Sequence, residues 1–200
     1  GEWIGIMGHS GAGKSTVFDL LLKYYHSYSG EISVDGIDIN KINTYELRKN
    51  ITLVSQNLFL FPGTLKENLL LANPNASDQQ INEVLSKVEL SKFINKLPQG
   101  LDTNVGEDGL LISGGEKQRI CLAQGLLRDS QVLLLDEVTA NIDSYSEGEI
   151  RDTIQKLRLE NHLTIISISH KADFLEKTNR ILIFKGGSIE KVTTYADLSK

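Results

Sequence analysis

The residues that could carry chemistry begin with Gly8–Thr16, GHSGAGKST, which satisfy G-x-x-x-x-G-K-[ST]. Glycines at this spacing let a backbone wrap phosphates, and a helix starting here aims its free N–H groups at them. The candidate contacts are Gly8, His9, Ser10, Gly11, Ala12, Gly13, Lys14, Ser15 and Thr16. Lys14 supplies positive charge for the β- and γ-phosphates, and Ser15 offers a hydroxyl to Mg2+. His9 lies inside the loop without chemistry of its own. Far downstream, Val132–Glu137 (VLLLDE) reads as a buried strand that ends in two carboxylates. Asp136 suits Mg2+ held through its water shell, and Glu137 suits an attacking water that must be polarised. A general base in that role is worth about 10²–10⁴ in rate. Many strands end in an acid merely for solubility, so the pair gains meaning only beside the phosphate loop.

Two more polar residues close apolar runs: Gln56 ends ITLVSQ and His170 ends TIISISH. Singly, each reads as an ordinary loop residue. Ligands of open α/β sheets, however, sit outside the carboxyl ends of the strands. Gly8, Gln56, Asp136 and His170 all occupy such ends, so they can converge, with Gln56 on Mg2+ or water and His170 on a γ-phosphate. Ser113–Glu116, SGGE, is a separate candidate. Ser113 and Glu116 have the spacing of a capping box. That leaves Gly114 and Gly115 unexplained, since a glycine within a helix costs about 1 kcal/mol relative to alanine. Bare backbone there predicts close approach by something outside the helix.

These residues need a scaffold that brings strand ends to one edge. Short β-branched apolar runs at Ile4–Met7, Ile51–Ser55, Val132–Leu135, Leu163–Ser169 and Ile181–Phe184 predict strands. Most lack polar alternation, which suits a largely parallel sheet covered on both faces. Ser15–Lys23 and Gly148–Leu159 are helical in pattern, and the order predicts an α/β fold. In the middle the pattern changes. Thr64/Glu67 and Ser77/Gln80 are further capping boxes, Ile81, Val84, Leu85 and Val88 recur at helical spacing, and little strand is visible. The expectation is one domain over 1–200, with an α/β core from 1–63 and 129–200 and an inserted helical subdomain at 64–128.

Composition fits that picture. The 200 residues, 40% of them hydrophobic, are enough for one substantial core. A net charge of −5 excludes a broad electrostatic footprint for nucleic acid. The single cysteine, Cys121, can form no disulfide within the chain, so a reducing cytosolic setting and a packing role are expected. No apolar run approaches the ~20 residues of a membrane helix. The chain opens directly on a strand, as a piece cut from a longer protein would.

Taken together, these motifs resemble the nucleotide-binding domain of ATP-binding cassette (ABC) transporters, over nearly the whole chain and in the family's order. GHSGAGKST is similar to the Walker A loop, Gln56 to the Q-loop residue and ISGGE to the signature. VLLLDE is similar to Walker B, Thr139–Asp143 to the D-loop and His170 to the switch histidine. The signature is the decisive element, because other phosphate-loop enzymes such as nucleotide kinases lack it. The resemblance implies a phosphate-loop (RecA-like) core, a signature carried on the helical subdomain, and hydrolysis of ATP with Mg2+. Lys14 and the loop amides would bind phosphate, while Ser15, Gln56 and Asp136 would manage Mg2+. Glu137 would activate water, and His170 would sense or stabilise the γ-phosphate. Ser113, Gly114, Gly115 and Glu116, with Asp143 of the D-loop, would complete a nucleotide site across a head-to-tail dimer with an identical or related domain. That gives the two glycines a purpose compatible with the capping box.

LFLFPGTLKENL, Val105–Gly109 and SGEISVDGIDI resemble exporter-type members in particular. In that branch Leu58–Phe61 lies near the groove that receives a short helix of the transmembrane domain, with core packing as the plain alternative. Glu107 would lie near the cross-talk loop. These relations imply work at the cytoplasmic face of the cell membrane, without a nucleic-acid partner. Departures from the family pattern are Glu116 in place of the commoner glutamine, Gln124, Gly125 and Ser130 in the signature helix, and Asn141 in the D-loop. Gly125 is expected to loosen its helix. Exporters usually stack adenine on an aromatic ahead of Walker A; that segment is expected to lie outside this chain, weakening its hold on ATP. One rival is a soluble ABC ATPase acting on DNA or chromosomes. Such proteins typically insert a long coiled coil, and here no sustained heptads separate Walker A from the signature. A second rival, a binding-only cassette, is disfavoured by Glu137 and His170.

Overall fold

The computed structural model describes residues 1–55, 59–105, 112–140 and 144–198. Along the chain, β1 (Trp3–Gly8) leads into α1 (Lys14–Leu21), and a small ribbon of β2 (Ser33–Val34) and β3 (Ile37–Asp38) precedes α2 (Thr44–Asn50) and β4 (Ile51–Val54). Four helices follow: α3 (Leu65–Leu70), α4 (Asp78–Lys87), α5 (Ser91–Ile94) and α6 (Gly114–Leu127). The chain then returns to the sheet with β5 (Val132–Asp136), α7 (Ser144–Asn161), β6 (Thr164–Ile168), β7 (Arg180–Lys185), β8 (Ser188–Thr193) and α8 (Tyr195–Leu198).

The main sheet has six strands in the order β4-β5-β6-β1-β7-β8. Every neighbouring pair is parallel except β7 and β8. Parallel strands put their carboxyl ends along one edge, where ligands of such sheets bind. Register makes those ends coincide: Val54 pairs with Leu135, Asp136 with Ile168, and Ile168 with Ile6. Both faces are covered, which is why the strands read as continuous apolar runs. On one face Phe18, Leu22, Leu47, Leu134 and Ile168 pack beneath α1 and α2. On the other, Leu133, Leu135 and Ile165 meet Ile150, Ile154 and Leu157 of α7. That cluster continues without a break into Leu65, Leu69, Ile81, Leu85 and Ile120 of α3, α4 and α6. The helices between β4 and β5 therefore share the sheet's core.

Capping boxes start α3, α4 and α6, at Thr64/Glu67, Ser77/Gln80 and Ser113/Glu116. Helix α6 touches α3, α4, β4 and α7. It packs on the sheet at Gly125, where a Cβ would lie 3.3 Å from Leu133 Cδ1 and 3.5 Å from Thr52 Cγ2. The helix runs unbroken through that residue. Gly125 thus serves close packing rather than the loosening expected from its poor helix propensity.

Two features differ from the sequence expectation. Helix α7 begins at Ser144, ahead of Gly148, with Glu147 in its first turn where an acid complements the helix dipole. The ribbon β2–β3 and the hairpin β7–β8 turn at Asp35–Gly36 and Gly186–Gly187, all at positive φ as tight hairpin turns require. Every residue of β8 but Thr193 is exposed, so it has no apolar run to betray it.

Candidate nucleotide site

Strand β1 ends in Gly8, and the first reason for that glycine is packing. At φ +154° a Cβ would lie 2.4 Å from the Phe184 carbonyl oxygen on β7, so any side chain would displace the neighbouring strand. The loop then folds back, with Ala12 N donating to His9 O at 3.1 Å, and is braced by Gly187 N donating to Ala12 O at 3.2 Å. Helix α1 carries no side-chain cap and no acid in its first turn. Its leading N–H groups and dipole are therefore available to an anion. Lys14 is buried, and its Nζ donates to the carbonyls of Gly8 at 2.9 Å and His9 at 3.0 Å, holding the charge inside the curve of the loop. Ala12 faces the core, whereas His9, Ser10, Gly11, Ser15 and Thr16 are exposed.

Asp136 closes β5, and its Oδ1 lies 3.5 Å from Ser15 Oγ at the start of α1. Burial pushes its carboxyl above the usual carboxylate range; the Ser15 hydrogen bond pulls the other way, and the charge of Glu137 raises it further. A carboxylate so disfavoured as an anion gains from a cation beside it. Among the described residues no cluster of three or more His, Cys, Asp or Glu could hold a metal. One carboxylate and one hydroxyl is the sparse oxygen set that Mg2+ accepts when phosphates and water fill the rest of its shell.

Glu137 sits at φ +50°, uncommon for a residue with a side chain. Its N–H donates to Ile168 O at 3.0 Å and its carbonyl accepts from Ala140 N at 3.0 Å. Its Oε1 is 2.7 Å from His170 Nε2. The two residues given separate tasks from sequence thus meet in one hydrogen-bonded pair. Three residues that the sequence reading passed over hold this loop. Gln118, fully buried on α6, donates through Nε2 to Val138 O. Lys171, the residue after His170, donates from Nζ to Thr139 O at 3.1 Å and pairs with Glu147. Glu147 is an acid on the apolar stripe of α7 formed with Ile150, Ile154 and Leu157, and that placement was the available signal.

At the other candidate site, Ser113 N donates to Glu116 Oε2 at 2.9 Å and Glu116 N to Ser113 Oγ at 3.3 Å. A Cβ on Gly114 would meet nothing within 4 Å, and one on Gly115 only Ser146 Cβ at 3.9 Å. Nothing among the described residues demands a glycine at either position. A groove of about 300 Å3 also opens beside β4 and α6, lined by Phe59, Phe61, Leu71, Cys121, Gln124 and Arg128 among others. Leu60 packs in the core, whereas Phe59 and Phe61 are 52% and 55% exposed and stack edge to face at 4.9 Å. Buried Asn68 holds both the N–H and the carbonyl of Phe61, at 2.8 and 2.9 Å, and Gln124 donates to Asn68 O at 2.9 Å. Burial pushes the Cys121 thiol up to about 11, which keeps it protonated and inert near neutrality. Gln56, Leu58, Glu107, Asn141 and Asp143 lie outside the described residues.

Residues 1–140 match the family model described as ABC transporter. The chain belongs to the ABC transporter family. A protein of Rickettsia typhi named as an export ATP-binding/permease protein is 40% identical over 199 residues, which cover 100% of this chain and 34% of that protein. The mitochondrial iron-sulfur clusters transporter ATM1 of Debaryomyces hansenii is 38% identical over 198 residues, covering 99% of this chain and 28% of its own length. Among solved structures, a bacterial Atm1-family ABC exporter with ATP bound superposes with a TM-score of 0.90 at 35% identity, covering 99% of this chain and 35% of that one. The ABC chain described here spans about a third of the length of the Rickettsia relatives it matches. No helix among its described residues is long and apolar enough to cross a membrane.

Proposed function

We propose that this ABC chain binds ATP with Mg2+ and hydrolyses it as the nucleotide-binding domain of an exporter. The observation that carries the reading is the convergence, along the carboxyl edge of one sheet, of an uncapped helix start, Lys14, Ser15, Asp136 and the Glu137–His170 pair. Lys14 and the α1 N–H groups hold the phosphates. Ser15 and Asp136, with Gln56, would hold Mg2+, which would supply positive charge against the phosphates. Glu137 takes the proton from the attacking water, and His170 donates its one N–H in turn to that carboxylate, which it orients, or to the γ-phosphate. Water attack at the γ-phosphorus breaks its bond to the bridging oxygen, giving ADP and phosphate.

Ser113, Gly114, Gly115 and Glu116, with Asp143, serve the nucleotide of a second domain, identical or related. The open space at Gly114 supports this. Helices 64–128 form the subdomain that presents them to that partner, while 1–63 and 129–200 hold the bound nucleotide. The exposed pair Phe59 and Phe61 supports docking of a transmembrane domain at the groove, and in this reading the chain works at the cytoplasmic face of a membrane. The relatives' names, those of exporters and transporters, support transport over an action on DNA. Glu137→Gln tests the catalytic part. ATP binding is expected to persist while phosphate release falls by at least about 10². Turnover equal to that of the unaltered chain would remove Glu137 from the role.

A further inference from the structure

Lys171 and Glu147 have no task in the hydrolytic reading above, yet their placement is specific. Glu147 is 6% exposed, and a buried carboxylate is costly unless paired. Its partner is Lys171, whose ammonium also donates to the carbonyl of buried Thr139 at 3.1 Å. The backbone of Lys171 is fixed in turn by Ser169, whose Oγ accepts from Lys171 N at 3.0 Å and donates to Lys171 O at 3.2 Å. One side chain therefore ties the loop after β6, the loop after β5 and the first turn of α7. The loop after β5 is the one that carries Glu137 at positive φ. Such a conformation persists only where its surroundings over-determine it. Gln118 grips Val138 from the α6 side, and Lys171 grips Thr139 from the other.

We propose that Lys171, anchored by Glu147, is a positioning residue for hydrolysis. It holds residues 137–140 so that the Glu137 carboxylate stays within reach of His170 and of the attacking water. The inference rests on the ATPase reading and deepens it. The partners that fix the pair are Thr139, Ser169 and each other, all outside the phosphate loop, so the pair should act on kcat and leave nucleotide affinity alone. A purely structural ion pair would change stability without that split.

The test compares the unaltered chain with Lys171→Arg, Lys171→Met and the double variant Lys171→Met/Glu147→Leu. The double variant removes both charges, so no buried charge is left unpaired and the fold is preserved. Direct ATP binding, ATP hydrolysis and amide hydrogen exchange are measured on each. For the double variant, Kd should stay within about twofold while kcat drops roughly 10- to 100-fold, the scale of a displaced catalytic group. Exchange of the amides in 137–140 should quicken without change in β5. Lys171→Arg, which keeps the charge and can donate in two directions, should recover most of kcat. Unaltered kcat in the double variant, unaltered exchange at 137–140, or parallel loss of affinity and kcat would each overturn the proposal. An unaltered chain that binds ATP and hydrolyses none refutes the ATPase reading itself, and this inference with it.

Discussion

Asp136 meets two demands that conflict. The proposed role needs it ionised to hold a cation, and its half-buried place beside Glu137 disfavours that ionisation. Asp136→Asn should therefore raise the melting temperature of the nucleotide-free chain while abolishing the further rise that ATP with Mg2+ gives by mass action. The sign with pH follows from the raised pKa. The gain is present near neutrality, where the native carboxylate is charged, and vanishes in acid once that carboxyl is protonated in the folded chain. Thermal unfolding at both pH values checks this, and an asparagine variant no more stable at neutrality would mean that burial is not the dominant influence. At this scale Gly8–Thr16 was the plainest candidate in the sequence, because one short stretch carries the whole motif. Asp136, Glu137 and His170 were legible because each closes an apolar run. Gln118, Lys171 and Glu147 were not, because their meaning lies in contacts with Val138, Thr139 and each other that only the folded chain creates.

Elements were legible in proportion to their burial. Strands β1, β4, β5, β6 and β7 show themselves as apolar runs, whereas β8 and the ribbon β2–β3 lack a buried face. Their turns, Asp35–Gly36 and Gly186–Gly187, were the signal that could have found them. Gly125 was legible as an oddity but misread, since propensity describes an isolated helix and not one pressed on Thr52 and Leu133. Gly125→Ala should change stability by under about 1 kcal/mol, the gain in helix propensity offsetting a tight contact. Gly125→Val should cost about 1–3 kcal/mol by overpacking. Urea denaturation of both variants measures this; a valine variant as stable as the original would mean that the helix does not press on the sheet there.

For the whole molecule, the proposed pairing of domains is open to direct measurement. Glu137→Gln should sediment as a dimer with ATP and Mg2+ and as a monomer with ADP or without nucleotide, because only the γ-phosphate offers Ser113–Glu116 of another copy something to hold. A monomer at saturating bound ATP would rule out self-pairing of this chain. The fourteen residues of α6 give such pairing a mechanical side. At about 1.5 Å per residue they form a rod about 21 Å long. Ser113 stands at one tip, Gln118 bears on the strap behind Glu137, and Cys121 and Gln124 form a wall of the groove beside Phe59 and Phe61. Under the proposed function, a nucleotide held at the tip and a partner seated in the groove would bear on one and the same helix, so that a tilt forced at either end would be carried to the other.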